Sequence, residues 1–280
     1  MGRSLNLRAI IVSALILLVF LGGWQLATLP PSGGGAVYAD PEYAAMMGGA
    51  AAQASGMPSP GTVGQTILSQ LANPFYDNGP NDKGIGIQLA WSLARVLAGF
   101  LLAALVAIPL GFVIGMSPLM FKALNPYIQI MKPISPLAWM PLALYTIKDA
   151  SLSSIFVIFI CSIWPMMINT AHGVAAVKKD WLNVARTLEV NPFRTALKVI
   201  LPAAAPTILT GMRISMGIAW LVIVAAEMLV GGTGIGYFVW NEWNNLNLSN
   251  VIFAIIMIGA VGMLLDMVFG ALAKLVSYQE

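Results

Sequence analysis

Long apolar runs alternate with short polar breaks along almost the whole chain. The runs lie at about residues 9–29, 87–116, 123–147, 151–169, 203–230 and 251–276. Each reaches or comes close to the roughly 20 residues with which a helix crosses a hydrocarbon core. The pattern predicts an all-α integral membrane protein with six transmembrane helices. The second helix is expected to start tilted or surface-lying around residues 91–95. Its divisions are a tip and first helix at 1–29, an outer loop at 30–86, a five-helix core at 87–276 and a tail at 277–280. The outer loop is rich in Gly, Pro, Ala and small polar residues. Within it, Ser59-Pro60 begins an amphipathic helix with Val63, Ile67, Leu68 and Leu71 on one side, suited to a membrane surface or the outside of a bundle. Residues 73–83, NPFYDNGPNDK, are turn chemistry. Lys148-Asp149 makes a tight outer turn. Residues 231–250 form an outer loop with an aromatic belt of Tyr237, Phe238, Trp240 and Trp243.

Composition agrees with a membrane protein. Apolar residues make up 59% and charged ones 9%, with a mean hydropathy of +0.83, which is not the balance of a soluble domain. The net charge of +3 raises the question of nucleic acid, but the basic residues are spread over loops between apolar runs, so they signal topology. Six spans with both termini cytoplasmic put Arg3, Arg8, Lys122, Lys178, Lys179, Arg186, Arg194, Lys198 and Lys274 inside, against Lys83 and Lys148 outside. That asymmetry follows the positive-inside rule. A secretory signal peptide cleaved near Val37-Tyr38-Ala39 competes for the first run, which is long for such a segment. Hydropathy shows no inverted repeat of the kind secondary transporters carry.

The third run contains Pro126, Pro133, Pro136 and Pro141. Prolines free backbone groups that a neighbouring helix or a wet cavity must satisfy. Two readings stand, kinks that fit the helix to its bundle and a broken helix beside a permeation path. Four ionisable residues also fall within runs, at a cost that makes each a functional candidate. Arg213 and Asp266 lie at matching depths and are expected to pair, as are Arg95 and Glu227 near the outer ends. A direct role for Arg213 or Arg95 in an anion path is the other reading, since a desolvated anion needs positive potential along its route.

Several chemistries have too few residues. His172 is the single histidine and Cys161 the single cysteine, so a zinc cluster, a Ser-His-Asp site and a disulfide framework cannot be assembled. Met131, Met140, Met166 and Met167 read as packing. The stretch GGTGIG at 231–236 has the look of a phosphate loop, but no Walker lysine follows and it reads as a flexible turn. With no nucleotide fingerprint, the chain is not expected to be an enzyme or to bind a cofactor itself.

The longest polar interruption of the second half lies in the loop at 173–202. Trp181, Val184, Ala185 and Leu188 there fall at helical spacing. Asp180 is a candidate N-cap, and Asn191-Pro192 caps and starts a second helix. A solvated loop needs no apolar stripe, so the element is expected to dock a cytoplasmic partner. The residues Asn183, Val184, Ala185, Arg186, Thr187, Leu188 and Glu189, followed by Ile200-Leu201-Pro202, resemble the coupling-loop motif of ABC-importer permeases. Asn183 stands where that motif has an acidic residue, and Glu189 where it has glycine. Glycine would allow a left-handed helix end, so the turn is expected to be made elsewhere, at Asn191. The resemblance extends to Ser92-Leu93, Arg95-Val96, residues 133–142 (PISPLAWMPL) and residues 210–220 (TGMRISMGIAW), in a branch that imports taurine, alkanesulfonates, nitrate and bicarbonate. Residues 73–88 are similar to those of cyanobacterial nitrate/nitrite and bicarbonate permeases.

The resemblance implies a type I importer permease fold in the inner membrane. It also implies a second permease copy, two cytoplasmic ATPases that carry ATP and magnesium, an extracytoplasmic binding protein and no nucleic acid. Residues 180–189 would pass ATPase closure to the spans, with Val184, Ala185 and Leu188 filling a groove on the ATPase. Candidate path residues are Arg95, Arg213, Glu227, Asp266, Trp139 and Met140. Nitrate is the favoured cargo, with nitrite, bicarbonate or a sulfonate as alternatives. Rivals of other classes are a self-sufficient channel or ion-coupled carrier and a membrane-embedded enzyme. Co-purification of an ATPase separates the importer from both.

Overall fold

The structure is a computed structural model that describes residues 2–29 and 57–276. The candidate cleavage site at 37–39 lies outside the described residues. Helix is the only regular structure described apart from one isolated bridge, Asp77 with Lys83. In order the helices are α1 (Gly2–Ala27), α2 (Pro60–Ala72), α3 (Ile85–Met116), α4 (Pro118–Met131), α5 (Pro136–Ile147), α6 (Ala150–Ala175), α7 (Lys179–Thr187), α8 (Pro192–Thr195), α9 (Leu201–Val230), α10 (Ile235–Asn244) and α11 (Leu248–Val276). A π-helical stretch, Ala196–Ile200, joins α8 to α9.

Helix starts follow local chemistry. Ser59, Ser117, Ser135, Asp149 and Asn191 each accept a backbone N–H of the following turn, the usual side-chain answer to unpaired N-terminal donors. Four of the five precede proline, whose fixed φ suits the first helical position. At α7 the cap is Lys178, which makes no side-chain cap bond, and Asp180 sits inside the first turn. The expected Asp180 cap is therefore corrected.

Five helices are long and apolar enough to cross a membrane: Leu7–Ala27, Ile85–Met116, Ala150–Ala175, Pro192–Val230 and Leu248–Val276. The run at 123–147, expected as one span, is broken. Helix α4 ends at Met131 and α5 restarts at Pro136. Pro133 and Pro136 remove donors at that break, whereas Pro126 and Pro141 sit inside helices. At 1.5 Å per residue, the 12 residues of α5 reach about 18 Å, short of a core about 30 Å thick. The expected tilted start at 91–95 is part of the continuous helix α3.

The chain divides into two compact units, residues 1–73 with 242–253 and residues 74–241 with 254–280. In the first, Trp24 Nε1 donates to Pro58 O at 3.1 Å and Gln70 Nε2 to Asn250 Oδ1 at 3.3 Å. Of the apolar positions on α2, Val63 is buried, Ile67 half-buried, and Leu68 and Leu71 exposed. In the second unit, α6 is the central helix and packs against both α3 and α9. Small residues permit that closeness. A Cβ at Gly99 would stand 2.8 Å from Ile155 O, and one at Gly211 2.6 Å from Asn169 Cβ. Val174, Val177, Ile200, Ala204 and Ile208 form a buried cluster at the α7 end of this unit.

Candidate functional site

Helix α7 exposes one apolar face and buries another. Val184 and Leu188 are 59% and 70% exposed, Trp181 and Phe193 are exposed too, and Ala185 is 4% exposed. Leu182 packs on the cluster of Val174, Val177 and Ile200. The expectation that Ala185 docks a partner together with Val184 and Leu188 is thus corrected. Ala185 faces its own chain, and the outward face is Trp181, Val184 and Leu188. Asn183, Arg186 and Glu189 are exposed beside it.

The helix ends at Glu189 itself, which takes φ 48°. Val190 N–H donates to Ala185 O at 3.1 Å and Glu189 N–H to Arg186 O at 3.0 Å, the bond pair of a Schellman end. A left-handed non-glycine residue costs about 1–2 kcal/mol, and this one is held by both bonds. The turn expected at Asn191 is therefore made at Glu189, while Asn191 caps α8 by accepting from Phe193 N–H at 3.0 Å.

At the α10 end of the second unit, Arg95 and Glu227 meet. Arg95 Nη1 lies 2.8 Å from Glu227 Oε1 and 2.6 Å from Thr233 O, and its Nε donates to Ser151 Oγ at 2.9 Å. Its guanidinium also lies over the Trp91 ring at 5.6 Å. Glu227 is 1% exposed. It accepts from Ser92 Oγ at 2.8 Å and from Gly236 N–H at 3.0 Å. Gly234 N–H donates to Gln88 Oε1 at 2.6 Å and Ile235 N–H to Ser92 Oγ at 2.9 Å. The 231–236 stretch, expected as a flexible turn, is instead a fixed backbone cradle for a buried carboxylate. Gln88 was not singled out from sequence, and Ser92 and Gly236 entered only through the family resemblance and the glycine stretch, not as partners of Glu227. Their signal is the spacing 88, 92, 95 on one face of α3 and the glycines just past Glu227.

Arg213 and Asp266 meet midway along α9 and α11. Nε and Nη2 of Arg213 lie 2.6 and 2.5 Å from Oδ1 and Oδ2 of Asp266, a side-on fork. The two side chains are 47% and 53% exposed, beside a cavity of about 390 Å3 walled by α9 and α11. Trp139 is half-buried at a smaller hollow with Lys132, Cys161 and Trp164, and Met140 is buried. His172 packs edge-on to Phe121 at 5.9 Å. Outside the spans, the Lys83 ammonium and the Gly79 N–H hold the Asp77 carboxyl below the usual carboxylate range. Among the described residues no group of three His, Cys, Asp or Glu is gathered to hold a metal ion.

Residues 107–278 match the family described as "Binding-protein-dependent transport system inner membrane component". The chain is also 47% identical over 224 residues to the nitrate import permease protein NrtB of Synechocystis sp., covering 80% of this chain and 82% of that one. The chain belongs to this family. It is a multi-pass membrane permease subunit of an ABC importer. The bicarbonate transport system permease protein CmpB of Synechocystis sp. is 44% identical to this permease over 208 residues, 74% of each chain. Among solved structures, a chain of the MetNI methionine ABC transporter in an inward facing conformation matches with a TM-score of 0.61 at 13% identity, over 68% of this permease and 95% of that chain. An amino acid ABC transporter chain matches with a TM-score of 0.53 at 16% identity, over 67% of this permease and 90% of that chain. At such identities the likeness concerns the fold, that of type I importer permeases.

Proposed function

We propose that this permease imports nitrate, with nitrite as a related cargo, as the membrane subunit of an ATP-driven complex. The observation that carries the choice of cargo is the 47% identity over 224 residues to a nitrate import permease. Bicarbonate is the second reading, favoured by the 44% identity to a bicarbonate permease. In this reading two copies of the chain pair in the membrane with both termini cytoplasmic. Two ATPase subunits bind ATP with magnesium below them, and an extracytoplasmic binding protein delivers the anion.

Helix α7 is the element that receives the ATPase. An exposed apolar face on a short helix has little use in water, and Trp181, Val184 and Leu188 present one. Asn183, Arg186 and Glu189 supply its polar rim. Ala185 and Leu182 fix the helix to the bundle, so force on the outer face is carried into the spans. Closure of the ATPases then shifts a two-state equilibrium between outward and inward openings.

The test is ATPase activity of the complex in nanodiscs with its binding protein and nitrate, nitrite or bicarbonate added in turn. Stimulation by nitrate supports the reading, and stimulation by bicarbonate alone replaces the cargo. Val184→Asp is expected to cut stimulated ATPase activity and uptake at least tenfold, because a charge in an apolar interface goes unpaired. Full coupling in that variant would remove α7 as the docking element.

A further inference from the structure

Arg213 and Asp266 sit in an unusual place for charges that are half exposed. On the continuous rod of α8, the π-helical stretch and α9, Arg213 is fifteen residues from Lys198 and fourteen from Glu227. That is about 22 and 21 Å along the axis. A charged face at such depth belongs to the interior of an assembly or to a water-filled path, since charge turned toward hydrocarbon is costly. Beside the pair lies the cavity of about 390 Å3, bounded by Gly217, Trp220, Leu221, Gly259 and Gly262. A Cβ at Gly217 or Gly259 would meet nothing within 4 Å, so those positions leave the space open. Trp220 Nε1 is committed to Ile258 O at 2.9 Å. The Arg213 guanidinium is therefore the anion-attracting group on a largely apolar wall.

The geometry of the pair identifies what could replace Asp266. The fork grips a carboxylate edge through two parallel N–H···O bonds. Nitrate, nitrite and bicarbonate each offer the same edge, two oxygens on one central atom in a plane, which suits bidentate guanidinium recognition. We propose that Arg213 is the anion-binding residue of the transport path, and that Asp266 is a resident competitor whose carboxylate an incoming planar oxyanion displaces. This inference rests on the anion-importer reading above. Exchange has two consequences. Arg213 is never left as an unpaired cation while the path is empty. Competition from Asp266 keeps the anion weakly held, and a conducting site must bind well enough to admit its ion and loosely enough to release it. A spherical anion such as chloride has no two-oxygen edge and displaces the carboxylate poorly.

The test uses the complete complex with its ATPases, reconstituted with and without the binding protein. Wild-type uptake of labelled nitrate and of labelled bicarbonate tests the cargo, and the variants are then read on whichever anion the wild type carries. Asp266→Asn is expected to bind that anion about tenfold more tightly in the complex without binding protein, the factor lost when a competitor holds the site nine-tenths of the time. Its maximal uptake rate should fall as release slows. The double variant Arg213→Leu, Asp266→Leu should lose uptake while keeping ATPase stimulation by the loaded binding protein, which shows an assembled complex. Wild-type uptake in the double variant would overturn the proposal, leaving the pair as packing. A second arm places Leu221→Cys in a Cys161→Ser background. Labelling by a water-soluble methanethiosulfonate, slowed by the carried oxyanion and not by chloride, is expected. Absence of labelling would mean that lipid or the second permease copy fills the cavity, and would equally overturn it.

Discussion

Two arginine–carboxylate pairs join helices of the same unit, and their surroundings could hardly differ more. Arg95–Glu227 is buried and shared, with Ser92, Ser151, Thr233 and Gly236 all bonded to one member or the other. Arg213–Asp266 is half exposed, and its hydrogen bonds run between its own two members beside an open cavity. An intramembrane charge is a single sequence signal with two physical outcomes. Where third parties close around the pair it becomes a structural knot. Where space is left around it, the partners remain free to exchange.

The largest effect that would break this contrast is expected at the knot. Glu227→Ala removes the acceptor for Ser92 and Gly236 and leaves Arg95 buried beside a hole. Loss of one member of a buried pair costs about 3–5 kcal/mol. The melting temperature of the detergent-solubilised complex should drop sharply, or the complex should fail to assemble. A wild-type melting curve would mean that the cluster is not a knot.

Glycine substitutions sharpen the same comparison at smaller amplitude. A Cβ on Gly236 would overlap the Val224 carbonyl and reach Glu227 Cβ at 2.9 Å. Neither neighbour is the loose end of a side chain, so the cradle must shift. Gly236→Ala should therefore destabilise by about 1–3 kcal/mol. Gly217 on the cavity wall meets nothing. There, Gly217→Ala replaces a poor helix former in mid-helix and should stabilise by about 0.5–1 kcal/mol. Opposite signs from one chemical change, read by thermal melting, are the expected result.

Much of this was legible in the chain. Apolar runs mark five crossing helices and a sixth that proves broken, where the prolines at 126–141 left a kink and a break both open. Depth matching brings out both charge partners. What the sequence could not show is which side of an element faces its own chain. Trp181, Val184, Ala185 and Leu188 share one helical stripe, yet Ala185 is buried and the others point out, because Leu182 and the cluster around Ile200 fix the roll of α7. Tertiary packing chooses that roll, and periodicity is blind to it. Glu189 was unreadable for a related reason. A left-handed residue there goes against its own preference, and it is held by two backbone bonds back to Ala185 and Arg186 that no side-chain pattern announces. The cradle at 231–236 was missed because glycine runs signal freedom locally, whereas here the Gly236 N–H is delivered to the Glu227 carboxylate of the preceding helix and the N–H groups of Gly234 and Ile235 to Gln88 and Ser92 of α3.

The smallest expected effect on stability carries the comparison furthest. Replacing an ion pair by apolar residues of similar size is often neutral or stabilising when nothing else depended on the charges. The Arg213–Asp266 pair meets that condition, so Arg213→Leu, Asp266→Leu should melt close to wild type. The corresponding variant of the buried pair, Arg95→Leu, Glu227→Leu, should not. It would strand the buried Gly236 N–H, at about 1–3 kcal/mol, and leave the half-buried Thr233 carbonyl without its partner. If both double variants melted alike, the third parties would contribute nothing and the distinction between knot and exchangeable pair would fall. If only the Arg95–Glu227 variant melts early, the Arg213–Asp266 pair is retained for something other than stability, which leaves transport as its remaining use.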